Sequence, residues 1–349
     1  MVWTWLSRLA LRRNQNQSLM LVSSRCDYPT VRPASEAGDI PDSQKSQETG
    51  PLSLRTLPTE LVLLISEFLP PTDALCLALT CKRMCNIADI SCLAIRLDTD
   101  ATDTLLCRLE SGTTGFTYCF MEQKLRPAQF PPNKPIWSYL HFHKTTNLER
   151  VPFFSVGLFM LDYCTARIVT NHQLLGPRHG VPASYLASIR NYRPPWAEGI
   201  WESEVWAANM IHGELFLSCM HTIFHKEANA GALQHFCNAH ARSIQICSHM
   251  DVGGRQGIGL PKDVIGNTKH QVSGWCQKCE TDWEVNIRWE DMERGWTVTV
   301  RTYYGLGACR SPQDQKWQAM SINRKGKAYR AMPGGGVKEL WEQHKSQLC

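Results

Sequence analysis

The sequence has no hydrophobic run long enough to cross a lipid bilayer. Its longest apolar stretch, Val151 to Cys164, is interrupted by Ser155, Gly157 and Asp162, whereas a membrane-spanning helix needs roughly 20 predominantly apolar residues. The sequence also lacks an excess of one charge, because 37 Lys and Arg face 32 Asp and Glu for a net charge of +5. So small and scattered a charge does not indicate a nucleic-acid surface. We therefore expect neither a membrane nor a nucleic-acid partner.

The 15 cysteines lack the compact spacing of a disulfide scaffold, and no secretory signal precedes them. This pattern favours a reducing compartment, the cytoplasm or the nucleus. The first 26 residues contain four arginines and no acidic residue, so mitochondrial import through a presequence is an alternative. From Asp27 to Pro51 the composition shifts to Pro, Ser, Gln, Glu and Gly. Residues 1–51 are thus predicted to be a disordered basic leader and linker.

Helical periodicity begins sharply after residue 52. Apolar side chains recur every three or four residues, Pro58 occupies a position that tolerates proline at a helix start, and Pro70 ends the pattern. The spacing predicts a helix from Pro58 to about Leu69. Thr72 and Thr80 are suitable N-caps for a second and a third short helix.

The first predicted helix carries apolar residues on two sides of its cylinder. That is more apolar surface than two short neighbouring helices can cover. A unit below about 40 residues also rarely supplies enough core to fold alone. We therefore expect part of this surface to be covered by another polypeptide or by a later part of the chain.

This segment resembles an F-box. The resemblance rests on the run Leu57-Pro58-Thr59-Glu60-Leu61, then Ile65, Phe68-Leu69, Asp73, Leu75 and Leu79-Thr80-Cys81-Lys82-Arg83-Met84. It implies an F-box over residues 52–95 that docks on the Skp-type adaptor of an SCF ubiquitin ligase, and through it on a cullin-RING ligase. Met84 stands where many F-boxes carry Trp, and methionine still fills an apolar gap. The resemblance assigns adaptor binding to Leu57, Pro58, Leu61, Ile65, Leu69, Leu75 and Met84. A plain three-helix cap on the following domain is the alternative.

Residues 96–349 are predicted to form the domain that holds a target protein. From Ala101 to Met250, short helical patterns alternate with proline-rich loops; they include a helix over Asn229–Ser243, with Asn229 as its N-cap, and a strand over Ile244–Cys247. No period of roughly 20 to 50 residues is present, so leucine-rich and propeller repeats are not supported.

The C-terminal part changes to strand periodicity. Alternation with period two from Trp283 to Arg301 predicts an antiparallel hairpin that turns at Asp291–Gly295. The Gly334–Gly336 run lacks the context of a phosphate loop and is predicted to be a flexible joint. The expected fold class is α+β, with an N-terminal three-helix F-box followed by a mixed helical domain that ends in an antiparallel hairpin or small sheet.

Four residues have the spacing of a metal site: Cys247, His249, Cys276 and Cys279. Two ligands at i and i+2 project from one side of a strand end, and two cysteines at i and i+3 surround a cation in a tight turn. The pattern predicts one structural zinc ion, although the 26 residues between the two pairs are more than compact zinc fingers contain. Buried free cysteines beside a surface histidine are the alternative.

His221 and His225 are spaced to share one face of a helix, as in zinc proteases, but Thr222 stands where those enzymes carry a catalytic glutamate. No Gly-x-Ser-x-Gly nucleophile motif is present either. The chain is therefore expected not to be an enzyme.

A second resemblance, to fungal F-box proteins with a long cysteine-containing C-terminal region, covers residues beyond the F-box. It rests on Tyr118-Cys119, Lys124-Leu125, Ala166 to Val169, Leu175 to Pro177, His179-Gly180, Cys247, His249, Cys276, Cys279 and Thr281-Asp282. Glu122 stands where similar chains carry a further cysteine, so a second metal site around Cys119 is not predicted. The leading hypothesis is a non-catalytic substrate-recognition subunit of an SCF-type ubiquitin ligase. The alternatives are an F-box protein acting outside a ligase and a zinc-dependent enzyme with a catalytic His221–His249 region.

Overall fold

The structure is a computed structural model that describes residues 56–81, 83–87, 97–120, 122–127, 150–152, 160–195, 197–240, 244–252, 265, 269–320 and 334–348. The predicted leader and linker at residues 1–51 lie outside the described residues. The chain divides into two compact units, Met1–Leu105 and Leu106–Cys349. No helix in the described ranges is both long and apolar enough to span a membrane.

The first unit contains short helices, as the sequence predicts. Helix α1 covers Thr59–Phe68, α2 covers Pro71–Thr80, and residues 83–87 are also helical. The predicted caps at Thr72 and Thr80 are wrong. Helix α2 begins one residue before Thr72, at Pro71. Proline suits a first helical position because it has no backbone N–H that would need an acceptor there. Thr80 is the last residue of α2, and its hydroxyl donates to the Leu77 carbonyl at 2.7 Å.

Three apolar side chains are buried among the described residues of the first unit: Val62, Ala78 and Met84. The Arg83 guanidinium donates to the Leu57 carbonyl and so joins the third helical segment to the entrance of α1. Only one side of α1 therefore contributes to the interior, through Val62.

The second unit is built on one large sheet. Its elements in chain order are α3 Thr99–Gly112, which begins in the first unit, β1 Phe116–Cys119, β2 Lys124–Pro127, β3 Arg150–Pro152, β4 Met160–Asp162, α4 Tyr163–Leu175, a 3₁₀ turn Ala183–Leu186, β5 Ser188–Tyr192, β6 Ile200–Ile211, β7 Glu214–His225, α5 Ala230–His240, β8 Gln245–Cys247, β9 Met250–Asp251, β10 His270–Trp275, β11 Thr281–Trp289, β12 Trp296–Gly307, α6 Gln315–Met320 and α7 Gly336–Leu348. Six strands pair antiparallel in the order β10-β11-β12-β7-β6-β5. The α+β class is confirmed.

The structure confirms the predicted hairpin. Strands β11 and β12 pair with Trp289 opposite Trp296 and Val285 opposite Val300. The helix predicted from Asn229 is α5, and the Asn229 side chain accepts from the Ala232 amide at 2.9 Å, as an N-cap does. The strand predicted at Ile244–Cys247 is β8, one residue shorter at its start.

The helical interpretation of the region before α5 was wrong, because β5, β6 and β7 lie there. Strand β6 buries every second residue over most of its length. Two of those inward residues are Glu202 and Glu204, so the sequence of β6 does not show the regular alternation of apolar and polar residues that predicts a strand. Strand β7 is buried on both faces along much of its length, so its apolar run lacks a period of two. His212 and Gly213, both with positive φ, form the tight turn between β6 and β7.

The large sheet has a core on each side. On one face lie two hydrophobic clusters, one around Trp206 and one around Ile223. On the other face, Val337 and Trp341 of α7 pack against the sheet. The predicted joint at Gly334–Gly336 is instead an ordered helix start, because the Asp282 carboxylate accepts from the backbone amides of Gly335 at 3.2 Å and Lys338 at 2.8 Å.

Candidate functional site

The structure brings the four predicted metal ligands together. Cys247 is the last residue of β8 and His249 lies in the turn that follows, whereas the turn between β10 and β11 contributes Cys276 and Cys279. Their ligand atoms all lie within 4.8 Å of one another, and all four residues are buried. Residues far apart in sequence thus form one compact group of three sulfur atoms and one imidazole nitrogen, which we call the Cys/His cluster.

Backbone amides in both turns point at the sulfur atoms. The His249 amide donates to Cys247 Sγ and the Lys278 amide to Cys276 Sγ, each at 3.4 Å. The Cys276 amide donates to the Thr281 carbonyl at 2.8 Å, which closes the second turn. Hydrogen bonds from amides favour the thiolate over the thiol, and thiolates are the form that binds metals. The turns are therefore shaped to present anionic sulfur.

Hydrogen bonds among the three cysteine side chains shift the pKa of each thiol. Hydrogen bonds from Cys247 and then Cys279 hold the pKa of Cys276 far below its usual value. The hydrogen bond with Cys276 raises the pKa of Cys247 to about 12, and the pKa of Cys279 is raised as well, first by its hydrogen bond with Cys247. One thiolate is thus stabilised by two neighbouring thiols, and a cation that enters would take the place of their protons.

The residues fit a metal ion by their donor chemistry. All three cysteines of the cluster are free thiols. Three sulfur donors and one imidazole match the preferences of a soft or borderline cation in a closed tetrahedral site. Within the described ranges, the Cys/His cluster is the one group of His, Cys, Asp and Glu side chains assembled closely enough to hold a metal ion.

The prediction that His221 and His225 share a helix face was wrong. Both lie on strand β7, where four residues span roughly 13 Å at about 3.3 Å per residue. His221 Nε2 is 2.8 Å from Glu202 Oε2, and His225 Nδ1 accepts from the Glu227 amide at 3.1 Å. Residues so far apart do not bind one ion.

The other candidate site is the apolar side of α1. Leu61, Leu64 and Ile65 are exposed, and Phe68 is 80% exposed. Leu63, which the sequence analysis did not single out, is exposed as well. Among the remaining predicted contact residues, Pro58 is exposed, whereas three are half-buried: Leu57, Leu69 and Leu75. The described part of the first unit therefore presents an unusually apolar helix face, which we call the α1 face.

The comparison with protein families explains that face. Residues 54–100 match the family described as F-box-like. Residues 54–100 therefore form an F-box-like domain. F-box domains bind Skp-type adaptors, so the first unit contains a protein-interaction module. The F-box match ends at residue 100, before the second compact unit. Neither the curated proteins nor the solved structures yielded a match, and the resemblance of the C-terminal region to fungal proteins stays a prediction.

Met84, which the sequence assigns to adaptor binding, is largely hidden from solvent. Its side chain is only 2% exposed. This burial favours a role in holding the F-box together over a direct contact with an adaptor.

Proposed function

We propose that the chain is a substrate-recognition subunit of an SCF-type ubiquitin ligase. The F-box would bind a Skp-type adaptor and through it a cullin-RING ligase, and the second unit would bind a target protein. The chain would carry out no transfer chemistry, because the ligase gains its rate from the high effective concentration of the bound target. Such a complex suits the cytoplasm or nucleus, where free cysteines like those of this chain persist.

The exposed α1 face of the F-box carries this proposal. Each Å² of apolar surface removed from water contributes about 25 cal/mol, so covering several leucines, Ile65 and Phe68 is strongly favourable. Of the predicted contacts, Pro58, Leu61 and Ile65 are exposed enough to reach a partner directly. Leu57, Leu69 and Leu75 are half-buried and would contact the adaptor with the part of each side chain that remains open.

Co-expression with a Skp-type adaptor tests the proposal. The tagged full chain should co-purify with the adaptor in equal amounts, and Ile65→Asp should reduce recovery at least tenfold, because it places a charge in an apolar contact. Ile189→Asp is the matched control: Ile189 is 73% exposed and lies in the second unit. Undiminished recovery with Ile65→Asp would contradict the assignment. When a cullin is co-expressed as well, recovery of the adaptor without the cullin would favour an F-box protein that acts outside a ligase.

We also propose that the Cys/His cluster binds one structural zinc ion. Cys247, Cys276 and Cys279 would supply thiolates and His249 an imidazole nitrogen. The ion would join the β8–β9 turn to the β10–β11 turn. With four protein ligands no position remains for water or substrate, which distinguishes a structural from a catalytic zinc site. Its role would be to stabilise the second unit as a scaffold for target binding.

A further inference from the structure

A group of buried polar side chains lies on β6 and β7 between the two hydrophobic clusters. On β6, Ile200 belongs to one cluster and Trp206 to the other. Glu202 and Glu204 lie between them on the same face, because side chains alternate along a strand. His221 is directly opposite Glu204 on β7. Glu202, Glu204 and His221 are 3%, 4% and 5% exposed, and we call them the acidic band.

The acidic band has more acceptors than donors. His221 Nε2 lies 2.8 Å from Glu202 Oε2. The second oxygen of Glu202 and both oxygens of Glu204 have no hydrogen-bond partner in the described structure. Carboxylates are acceptors only, and burying one without donors is costly. Nearly all buried polar groups in proteins are paired, so these three oxygen atoms call for a donor group that the described residues do not supply.

The geometry favours an extended organic cation over a metal ion. In the described part of the chain, the group whose ligand atoms converge for a metal is the Cys/His cluster and not the acidic band. Oxygen atoms that do not converge on one point suit a guanidinium, which presents five N–H donors across a plane. Carboxylates and guanidinium groups pair through two parallel hydrogen bonds, which adds specificity to the attraction of charge.

The acidic band lies one strand away from an edge of the sheet. Strand β5 is the edge strand beside β6, and Arg190 and Tyr192 lie opposite Glu204 and Glu202 in the register. Both β5 residues are half-buried, whereas the two glutamates are buried. Burial thus decreases from the band toward β5, so the β5 side is the more open side of the band. Arg190 does not donate a hydrogen bond to either oxygen of Glu204.

We propose that the acidic band recognises a basic side chain, an arginine in preference to a lysine, on the target protein. The target's guanidinium would enter past β5 and donate to Glu204 and to the second oxygen of Glu202, while His221 holds the first oxygen of Glu202 in place. The inference rests on the proposed function, since a target is what a substrate-recognition subunit binds. It adds the chemical class of the residue that is recognised.

Synthetic peptide pools test this inference on the full chain purified with its adaptor. Each fluorescent pool is degenerate except for one central residue, which is arginine, citrulline or glutamate. Citrulline keeps the shape of arginine but has no charge. The arginine pool should bind at least tenfold more tightly than the citrulline pool in fluorescence polarisation. Glu204→Gln should remove that preference, and Ser203→Ala, on the opposite face of β6, should keep it.

Two results would overturn the inference. One is equal binding of the arginine and citrulline pools, or a preference that survives Glu204→Gln. The other is a fall of several degrees in melting temperature that is equal for Glu204→Gln and Arg190→Met, because Arg190 would then be the partner of Glu204 within the chain. Adaptor recovery is measured on the same samples. If the unmutated chain did not recover the adaptor, that result would count against the ligase proposal. If the unmutated chain recovered the adaptor but showed no preference for arginine, that result would count against the acidic band alone.

Discussion

Arg167 and Glu110 form an ion pair in which neither side chain is reached by solvent. Arg167 donates to both carboxylate oxygens of Glu110. Glu110 also accepts from the Tyr118 amide at 2.9 Å and from Asn171 Nδ2 at 2.8 Å, and Arg167 donates to the Arg310 carbonyl. Within the second unit, the pair therefore connects the end of α3, β1, α4 and the segment after β12.

Breaking this pair on one side should strongly destabilise the second unit. Arg167→Met leaves the Glu110 charge buried without its partner, and such losses cost about 3–5 kcal/mol. Urea unfolding of the full chain, followed by tryptophan fluorescence, measures the effect. Arg301→Met is the control, because Arg301 pairs with Glu284 but is 40% exposed, and exposed pairs contribute at most about 1 kcal/mol. Equal losses for both variants would contradict this account.

Metal removal should loosen the second unit. The purified full chain is expected to contain one zinc ion per molecule by elemental analysis, and Cys276→Ser should abolish that zinc and lower the melting temperature. Cys237→Ser is the matched control, since Cys237 is a buried cysteine of the same unit outside the cluster. It should keep the zinc. A metal-free protein whose stability does not change on addition of zinc would refute the proposed site.

Two substitutions on α1 should separate binding from folding. Phe68→Ala removes an exposed ring, so we expect weaker adaptor binding and an unchanged melting temperature. Val62→Ala removes buried methyl groups and should cost roughly 1–3 kcal/mol of stability. Affinity for the adaptor is measured by calorimetry and stability by thermal melting. If Phe68→Ala destabilised the chain as much as Val62→Ala, the α1 face would belong to the core and not to an interface.

Cys237 should be unreactive in the folded chain. Burial, and then the charge of Glu202, raise the pKa of its thiol to about 12. The thiol of Cys237 therefore holds its proton more tightly in the folded state than in the unfolded state. The contribution of this difference to the stability of the fold is fully present below about pH 8.5 and is lost as the pH rises toward 12. Iodoacetamide at pH 8 should modify Cys237 only after unfolding, as peptide mass spectrometry would show. Rapid modification of the native chain would contradict its burial.

Asp282 should matter for the docking of α7. Its carboxylate accepts from two amides at the start of that helix, and losing a cap costs about 0.5–2 kcal/mol. We expect that loss for Asp282→Ala in urea unfolding and a smaller one for Asp282→Asn, which keeps an acceptor. If Asp282→Ala left the free energy of unfolding unchanged, packing of Trp341 alone would hold α7 on the sheet.

The sequence predicted those features whose signal is local. The β11–β12 hairpin followed from alternation around Val285, and the F-box from a dozen ordered positions beginning at Leu57. The four ligands were named from two short spacings, around Cys247 and around Cys276, although only the fold shows that the two pairs meet.

The features that the sequence failed to predict depend on contacts across the sheet. Glu202 and Glu204 face the interior of β6, and inward charges make a strand resemble an irregular segment. His221 and His225 have helical spacing, yet they lie on β7 because its neighbours β6 and β12 pair with it along most of its length.

The Cys/His cluster has a consequence for how this part of the chain can change in evolution. Its two pairs of ligands are 26 residues apart, and an ion bound there would close that stretch into a loop. The entropy of loop closure grows only logarithmically, so doubling the length would cost about 0.6 kcal/mol. Insertions and deletions between β9 and β10, after Asp251 and before His270, should therefore be well tolerated, and related chains should differ more in length there than in the spacing within either pair.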